Sequence, residues 1–361
     1  MQQRWQFVEG LSLTITKAPL IVNLTPHPMR FKTIKLNAVD DSEPNTLDLA
    51  QTVMDGLSKT PKVLPSWILF DDRGGEMFNK ITQLENYPPS ACEFEIIRNH
   101  TRVIAGLPFE NGLQLIELGA ADGAKAVVLI DHLLKEGQST HYVPIDITEG
   151  AVRSSIKNLE SKFQESDLSA SGLIGDFFQG LSQATKNSNR RNMILFLGAT
   201  LGNMDYTSMK KFLSRLRTNL NTGDYVIIGF DLMKHPKLLY DAYNDNQGFF
   251  EDFNLYMLDR INETLGGNFK KENFVQQAQY NKDTRSIESY LFSTREQSVY
   301  ISALEKEFHF KAWETLQTER SYKYEEYEID SLAESGGFET IERLYDSQRQ
   351  YVMPIWQAKK M

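Results

Sequence analysis

Two hydrophobic patterns alternate along the chain from residue 113 onward. Short, nearly continuous apolar runs, typical of buried strands, lie at 113–118, 141–147, 172–177, 193–197 and 225–230. Stretches with a helical period cover 124–135, 148–163 and 207–219. Strands that alternate with helices form a parallel sheet through right-handed crossovers. We therefore predict an α/β fold.

The last forty residues break this alternation. Two strand-like runs, 338–345 and 350–357, are joined by Asp-Ser-Gln-Arg, which predicts an antiparallel hairpin. Dinucleotide dehydrogenases instead continue with a second βαβαβ half. A mostly parallel sheet ending in such a hairpin is typical of the Rossmann-like class I methyltransferases.

A long insertion separates the last parallel strand from this tail. Residues 233–322 contain helical patterns at 237–246 and 249–265 and strand-like runs at 286–293, 297–300 and 308–315. This is too long for a loop within a compact domain. We predict a second, α+β substrate-binding lobe from 46–92 and 233–322, a cofactor-binding methyltransferase domain from 93–232 and 323–361, and an N-terminal extension, 1–45, of unknown role.

Composition narrows the class of partner. The 361 residues are 41% hydrophobic with a net charge of −9. No dense Lys/Arg run is present, which argues against nucleic acid, and no apolar run approaches the ~18 residues of a membrane span. Cys92 is the single cysteine, which favours a reducing compartment. With no signal peptide in 1–10 and no ligand spacing among the six histidines, we expect a cytoplasmic monomer that acts on a small molecule without a metal.

The turn after the first strand indicates a cofactor. Glu117-Leu118-Gly119 is followed by Ala-Ala-Asp-Gly and then a helix, an arrangement typical of nucleotide sites. Dinucleotide turns need three glycines to bring backbone N–H groups against a pyrophosphate. Here Ala121 and Asp122 occupy the middle, and Asp122 would repel phosphate. S-adenosylmethionine, which carries a cationic sulfonium and no phosphate, fits better.

Later strand ends supply further cofactor candidates. Asp146 could accept both ribose hydroxyls, or it could simply be an acid at a helix N-terminus. Asp176 could accept from the adenine amino group while Phe177 donates its backbone N–H, the alternative being an ordinary turn aspartate. Lys125 in a first helical turn opposes the helix dipole, so a ligand carboxylate is a plausible partner.

The loop after the fourth strand restricts the substrate. It contains Gly198 and Gly202, which allow close backbone approach where reacting groups would meet. It lacks the Asn/Asp-Pro-Pro-Tyr sequence with which base and protein-amide methyltransferases grip a planar amine. Planar exocyclic amines are therefore disfavoured.

Taken in order, seven blocks of this chain resemble the histidine-specific, S-adenosylmethionine-dependent N-methyltransferases of ergothioneine biosynthesis. The blocks are Leu-Pro-Ser-Trp-Ile-Leu-Phe-Asp-Asp-Arg-Gly-Gly-Glu-Met-Phe, Ile-Thr-Gln-Leu-Glu-Asn-Tyr-Pro, Glu-Leu-Gly, Tyr-Val-Pro-Ile-Asp, Gly-Asp-Phe, Phe-Leu-Gly-Ala-Thr-Leu-Gly-Asn and Thr-Glu-Arg-Ser-Tyr-Lys-Tyr. They run from about residue 64 to the C-terminal region. The resemblance implies trimethylation of the α-amino group of histidine to hercynine.

The resemblance also implies site residues, each with an ordinary structural alternative. Cofactor contacts would come from Gly119, Lys125, Asp146, Asp176 and Phe177. The substrate's amino-acid head would be held and aligned by Asn203 and Tyr243, near Gly198 and Thr200, and its side chain would face Tyr87, Glu319 and Ser321. Alternatively, Asn203 is a helix cap, Tyr243 is a half-buried aromatic, and Glu319 and Ser321 point outward from a strand.

Two pocket positions depart from the family pattern. Phe70 stands where the histidine enzymes have Tyr, and Ser289 stands where they have Met beside the substrate ring. Glu319 favours histidine, because a carboxylate can accept from an imidazole N–H. The alternatives are an N-methyltransferase for another aromatic amino acid, tryptophan- or tyrosine-like, a nicotinamide-dependent oxidoreductase, or a non-catalytic cofactor-binding scaffold.

Overall fold

Helices and strands alternate through most of the computed structural model, which describes residues 30–36, 49–164, 166–186 and 188–360. The predictions made for 1–10, for His27 and for the rest of the N-terminal extension apart from 30–36 lie outside these residues. The strands are β1 (Phe31–Lys35), β2 (Lys62–Val63), β3 (Leu113–Leu118), β4 (Thr140–Asp146), β5 (Ser169–Ile174), β6 (Arg191–Phe196), β7 (Tyr225–Ile228), β8 (Phe230–Asp231), β9 (Phe274–Asn281), β10 (Ser286–Ser293), β11 (Gln297–Ile301), β12 (Lys306–Phe310), β13 (Thr315–Tyr322), β14 (Phe338–Tyr345) and β15 (Tyr351–Ala358). The α-helices are α1 (Leu49–Ser58), α2 (Asp72–Ile81), α3 (Pro89–Ala105), α4 (Ala124–Lys135), α5 (Glu149–Lys162), α6 (Phe177–Thr185), α7 (Tyr206–Thr218), α8 (Pro236–Tyr243), α9 (Phe249–Leu265) and α10 (Glu326–Ser335).

The main sheet has the strand order β1-β5-β4-β3-β6-β7-β15-β14, and β8 pairs with β15. Strands β1 and β3 to β7 pair in parallel, whereas β15 runs antiparallel to β7 and β14. Central β3 is buried at all six positions, as expected for a parallel strand covered on both faces. The predicted parallel sheet closed by an antiparallel hairpin is thus confirmed.

Two hydrophobic cores cover the faces of this sheet. One packs side chains such as Ile96 of α3 and Leu129 of α4 against β3 and β6. The other packs Leu181 of α6 and Leu213 of α7 against the opposite face. Because the sheet is buried on both sides, its carboxyl-end loops are where a ligand can reach it.

A third core joins the inserted region to the first helices. It includes Val53 of α1, Ile68, Met257 of α9 and Leu291 of β10. The sheet at its base has the order β2-β13-β10-β9, with β11 and β12 forming a separate two-stranded hairpin. Residues 31–361 group as one compact unit. The division into two lobes therefore stays a prediction, and its boundary at 92/93 falls inside α3.

One predicted strand needs correction, and one observed strand was not predicted. The predicted strand at 308–315 is wrong: β12 ends at Phe310, and β13 begins only at Thr315, because a turn containing Trp313 at φ 66° separates them. The N-terminal extension, for which the sequence suggested no role, contributes β1, which pairs in parallel with β5 from Phe31 opposite Ala170 to Lys35 opposite Ile174. Among the residues described, no helix has both the length and the apolar character to cross a membrane.

Candidate active site

Three neighbouring strands bring the predicted cofactor residues to one edge of the main sheet. Gly119 follows β3, Asp146 ends β4 and Asp176 follows β5. Gly119 has φ 73°, a conformation open to glycine, and its N–H donates to the Ile145 carbonyl at 2.9 Å. A Cβ added to Gly119 would lie 3.7 Å from the Phe177 ring. Gly119, Phe177 and the two carboxylates thus line the same edge.

The two carboxylates at this edge make different local bonds. Asp146 Oδ1 accepts from the backbone N–H and the hydroxyl of Thr148, both at 2.9 Å. Burial raises the pKa of Asp146, and the bonds from Thr148 oppose that rise. Asp176 is the N-cap of α6, since its Oδ1 accepts from the N–H groups of Phe178 and Gln179. A capping role and a cofactor role are compatible, because a carboxylate has a second oxygen.

Lys125 pairs with a carboxylate of the protein itself, and its contact with a ligand carboxylate stays a prediction. Its Nζ lies 2.5 Å from Oε2 of Glu93, a fully buried residue of α3 that the sequence reasoning missed. Glu93 Oε1 also accepts from the Gly198 N–H and the Tyr351 hydroxyl, each at 2.6 Å. One carboxylate therefore joins the cofactor-side lysine to the loop after β6. The sequence did indicate that Glu93 is buried, because it lies four residues before Ile97 on the apolar stripe of a helix.

The glutamate of the Glu-Leu-Gly block lies beneath the cofactor loop. Glu117 is buried, and its carboxylate accepts from the Tyr142 hydroxyl. Burial raises the pKa of Glu117 to about 7. The Tyr142 oxygen lies 3.1 Å from Ser155 Oγ, and Ser155 packs directly against Gly123. This network supports the turn from below.

The predicted substrate residues converge from several elements. Glu319 and Ser321 lie on β13 and are buried, so the alternative of outward-pointing strand residues is wrong. Tyr243 at the end of α8 is also buried rather than half-buried, and its hydroxyl donates to Ser321 Oγ at 2.9 Å. The Tyr87 ring lies 5.7 Å from the Tyr243 ring in an edge-to-face contact. Burial, reinforced by the charge of Glu319, raises the pKa of Tyr243, so its hydroxyl stays protonated.

Glu319 is the unusual member of this group. Its Oε2 is buried without a hydrogen-bond partner. Ser289 of β10 is the cross-strand neighbour of Glu319, and Ser289 Oγ is likewise buried with no hydrogen bond of normal length and angle. Burial raises the pKa of Glu319 to about 7, although Lys323 and the nearby Ser289 hydroxyl each lower it. A buried carboxylate oxygen with no donor is costly, and its lone pairs leave a place for a ligand donor beside the Ser289 hydroxyl.

Behind the hydroxyls lies a buried ion pair that the sequence reasoning also missed. The fully buried Lys323 Nζ donates to Tyr243 Oη at 2.9 Å and to Ser321 Oγ at 2.9 Å. It also lies 2.8 Å from an oxygen of Asp231, which pairs in addition with Lys234. Burial alone would raise the pKa of Asp231, but the two lysines lower it. The alternation of side chains along a strand could have indicated Lys323, because Lys323 follows Glu319 and Ser321 on the same face of the strand.

The loop after β6 brings the remaining head-group candidates to this strand. Gly198 has φ 75°, and the Thr200 hydroxyl donates to the Leu197 carbonyl at 2.8 Å. A 3₁₀ helix spans Thr200–Asn203, and a Cβ on its Gly202 would lie 3.2 Å from the Tyr322 carbonyl oxygen, so this turn packs closely on β13. Asn203, half-buried, ends the turn beside that strand.

Phe70, the other substrate-side position that departs from the family pattern, lies in a cluster of aromatic rings. Its ring centroid is 5.5 Å from Phe78 and 5.7 Å from Phe253, both in edge-to-face contacts. Phe70 therefore offers a substrate an apolar ring and no hydroxyl. Among the described residues, no group of three or more His, Cys, Asp or Glu side chains is arranged to hold a metal ion.

These features define a class. The chain has the fold of a class I S-adenosylmethionine-dependent methyltransferase. Its parallel sheet ends in an antiparallel hairpin, its first glycine turn is unsuited to a pyrophosphate, and acidic residues follow successive strands. The strand-end residues fit that cofactor, since the open face of Gly119 and the Asp146 and Asp176 carboxylates share one edge. When bound, S-adenosylmethionine supplies an electrophilic methyl group.

Comparison with known proteins makes the assignment more specific. The model of the family described as histidine-specific methyltransferase, SAM-dependent, matches residues 49–358, and the chain belongs to this family. It is 30% identical over 295 residues to histidine N-alpha-methyltransferase of Mycobacterium tuberculosis (strain CDC 1551 / Oshkosh), covering 82% of this chain and 90% of that protein. It is 31% identical over 290 residues to the enzyme of the same name from Mycolicibacterium smegmatis, covering 80% and 88%. Ergothioneine biosynthesis protein 1 of Schizosaccharomyces pombe is 29% identical, with 79% of this chain and 37% of that protein covered.

Proposed function

We propose that this protein transfers methyl groups from S-adenosylmethionine to the α-amino group of L-histidine, up to the trimethylated betaine hercynine. The observation that carries the proposal is the buried, unpartnered Oε2 of Glu319 beside the Ser321 and Tyr243 hydroxyls. An imidazole N–H would satisfy this oxygen. A hydrocarbon side chain would leave it unsatisfied, at a cost of about 1–3 kcal/mol.

The same geometry supports roles for the head-group residues. We assign alignment of the substrate's amino and carboxylate groups to Asn203 and Tyr243, with Gly198 and Thr200 at the adjoining loop. Alignment alone can lower a methyl-transfer barrier by about 7–11 kcal/mol. Tyr87 packs edge-to-face on Tyr243 beside these residues.

Each successive round needs a neutral amine. Burial disfavours an ammonium ion and therefore lowers its pKa. The aromatic wall formed by Phe70, Phe78 and Tyr87 provides such an apolar boundary. We expect the reaction to stop at the quaternary nitrogen, which has no proton left to lose.

A second candidate is N-methylation of another aromatic amino acid, tryptophan- or tyrosine-like. Two observations favour it. Phe70 has no hydroxyl, and Ser289, which pairs with Glu319 across β10 and β13, has a small side chain where the histidine enzymes have Met. A cytoplasmic location, a monomeric state and the absence of a nucleic-acid partner remain predictions.

The test is a substrate screen. Purified protein is incubated with methyl-labelled S-adenosylmethionine and each of the twenty amino acids, and products are identified by mass spectrometry. Mono-, di- and trimethylhistidine are expected. Labelled tryptophan or tyrosine without labelled histidine would favour the second candidate, and no labelled amino acid at all would refute both.

A further inference from the structure

Lys323 makes three hydrogen bonds, and two of them set the acceptor roles of the proposed substrate residues Tyr243 and Ser321. A lysine ammonium has three donors and no acceptor. Here the three are directed at Tyr243 Oη, Ser321 Oγ and Asp231, at 2.9, 2.9 and 2.8 Å. Both hydroxyl oxygens are therefore acceptors toward Lys323, whatever else they bind.

The direction of the bond between the two hydroxyls decides what Ser321 can offer a ligand. The Tyr243 hydroxyl donates to Ser321 Oγ at 2.9 Å. Ser321 Oγ thus accepts from both Lys323 and Tyr243, which uses the two acceptor positions of a hydroxyl. Its own proton is the one hydrogen of this triangle without an acceptor among the described residues. Ser321 is left able to donate and unable to accept.

The adjoining acid has the opposite capacity. Glu319 lies two residues earlier on the same strand, about 7 Å away, with its Oε2 unpartnered. The pocket face of β13 therefore offers one donor, at Ser321, and one acceptor, at Glu319. A neutral imidazole has one ring nitrogen with a lone pair and one with N–H, so it matches both positions.

We propose that Lys323, held by Asp231, is a positioning residue that makes Ser321 an obligate hydrogen-bond donor to the substrate ring. This inference rests on the proposed function. Lys323 does not touch the substrate in this scheme and acts only through the hydroxyls.

The variant that tests it is Lys323→Met, with Lys234→Met as the matched control. Met is similar in length to Lys, and Asp231 retains its pair with Lys234 in the first variant and with Lys323 in the second. Only the first removes donors from Tyr243 and Ser321. Losing an enforced neutral hydrogen bond should raise the KM for histidine about tenfold, with kcat within threefold. Lys234→Met should change KM less than threefold, and S-adenosylmethionine affinity should be unchanged in both.

A coupling measurement separates positioning from a general structural effect. If Lys323 acts through Ser321, Lys323→Met should raise KM less than threefold in a Ser321→Ala background. An equal rise in both backgrounds, or equal effects of Lys323→Met and Lys234→Met, would overturn the proposal while leaving histidine methylation intact. A wild-type protein that does not methylate histidine would overturn both proposals.

Histidine analogues test the donor directly, even if Lys323→Met does not fold. A thiazolylalanine has a ring nitrogen that only accepts, and a pyrrolylalanine has one that only donates. Ser321→Ala should weaken binding of the thiazole compound about tenfold and of the pyrrole compound less than threefold. A loss as large for the pyrrole compound would show that Ser321 accepts, contrary to the proposal.

Discussion

Glu319→Gln tests the residue on which the substrate assignment depends. The substitution removes the charge and preserves the shape of a buried side chain whose Oε2 has no partner. Hydrogen bonds to a charged group contribute about 1.5–3 kcal/mol, against about 1 kcal/mol for a neutral acceptor. Because the Gln oxygen can still accept, we expect histidine to bind about tenfold more weakly.

The assay is calorimetric titration of histidine, and separately of tryptophan, in the presence of S-adenosylhomocysteine. Tryptophan affinity should change less than threefold. Glu288→Gln is the matched control, since Glu288 is a buried carboxylate on adjacent β10 that already accepts from Arg320 at 2.9 Å. Equal losses for the two amino acids would show that Glu319 does not recognise the imidazole.

The same variant has a pH signature without substrate. Burial raises the pKa of Glu319 from 4.5 to about 7, so the folded protein binds more protons than the unfolded chain between these values. Stability from this group is thus complete below about pH 4.5 and is lost as the pH rises through about 7. Lys323, itself paired with Asp231, is the charged group that lowers this pKa, while Tyr87 and Tyr243 stay neutral across this range. Glu319→Gln should therefore be more stable than wild type at pH 8, by roughly 1–3 kcal/mol, with the difference vanishing toward pH 4.5. A difference that does not vary with pH in denaturant titrations would contradict the buried, unpaired carboxylate.

Two further predictions concern the cofactor side. Asp146→Asn should weaken S-adenosylmethionine binding roughly 10- to 100-fold by calorimetry. Asp131→Asn, at a half-buried position of α4 whose carboxylate pairs with Lys135, should not, and equal affinities of the two variants would remove Asp146 from the site. Gly123→Ala should lower the free energy of unfolding about 1–3 kcal/mol more than Gly137→Ala. Both glycines have positive φ, 71° and 74°, so the backbone strain is similar. The added Cβ would lie 2.3 Å from Ser155 Oγ at Gly123, whereas at Gly137 it would meet nothing within 4 Å. Equal losses in the two variants would mean that backbone strain alone, and not the contact with Ser155, constrains the turn.

Most of the fold was readable because its signals are local. The apolar run 113–118 and the helical pattern 124–135 coincide with β3 and α4, since a strand covered on both faces and an amphipathic helix each leave their own periodicity. The split between β12 and β13 was missed because one turn residue, Trp313, interrupts an otherwise strand-like stretch. β1 was missed because a short edge strand gains its hydrogen bonds from a partner more than 130 residues away, opposite Ala170.

The sequence by itself determined the class of fold, the kind of cofactor and, through its ordered motif blocks, the candidate site residues. Only the tertiary structure decided how those residues are connected. Glu93 meets Lys125 and Gly198, and Lys323 meets Asp231 and Tyr243, across separations of 32 to 105 residues that no local pattern encodes. The physical reason is that burial and pairing of charge depend on packing between distant elements. Whether a carboxylate such as Glu319 lies in water or in the buried interior is therefore settled only when the chain folds.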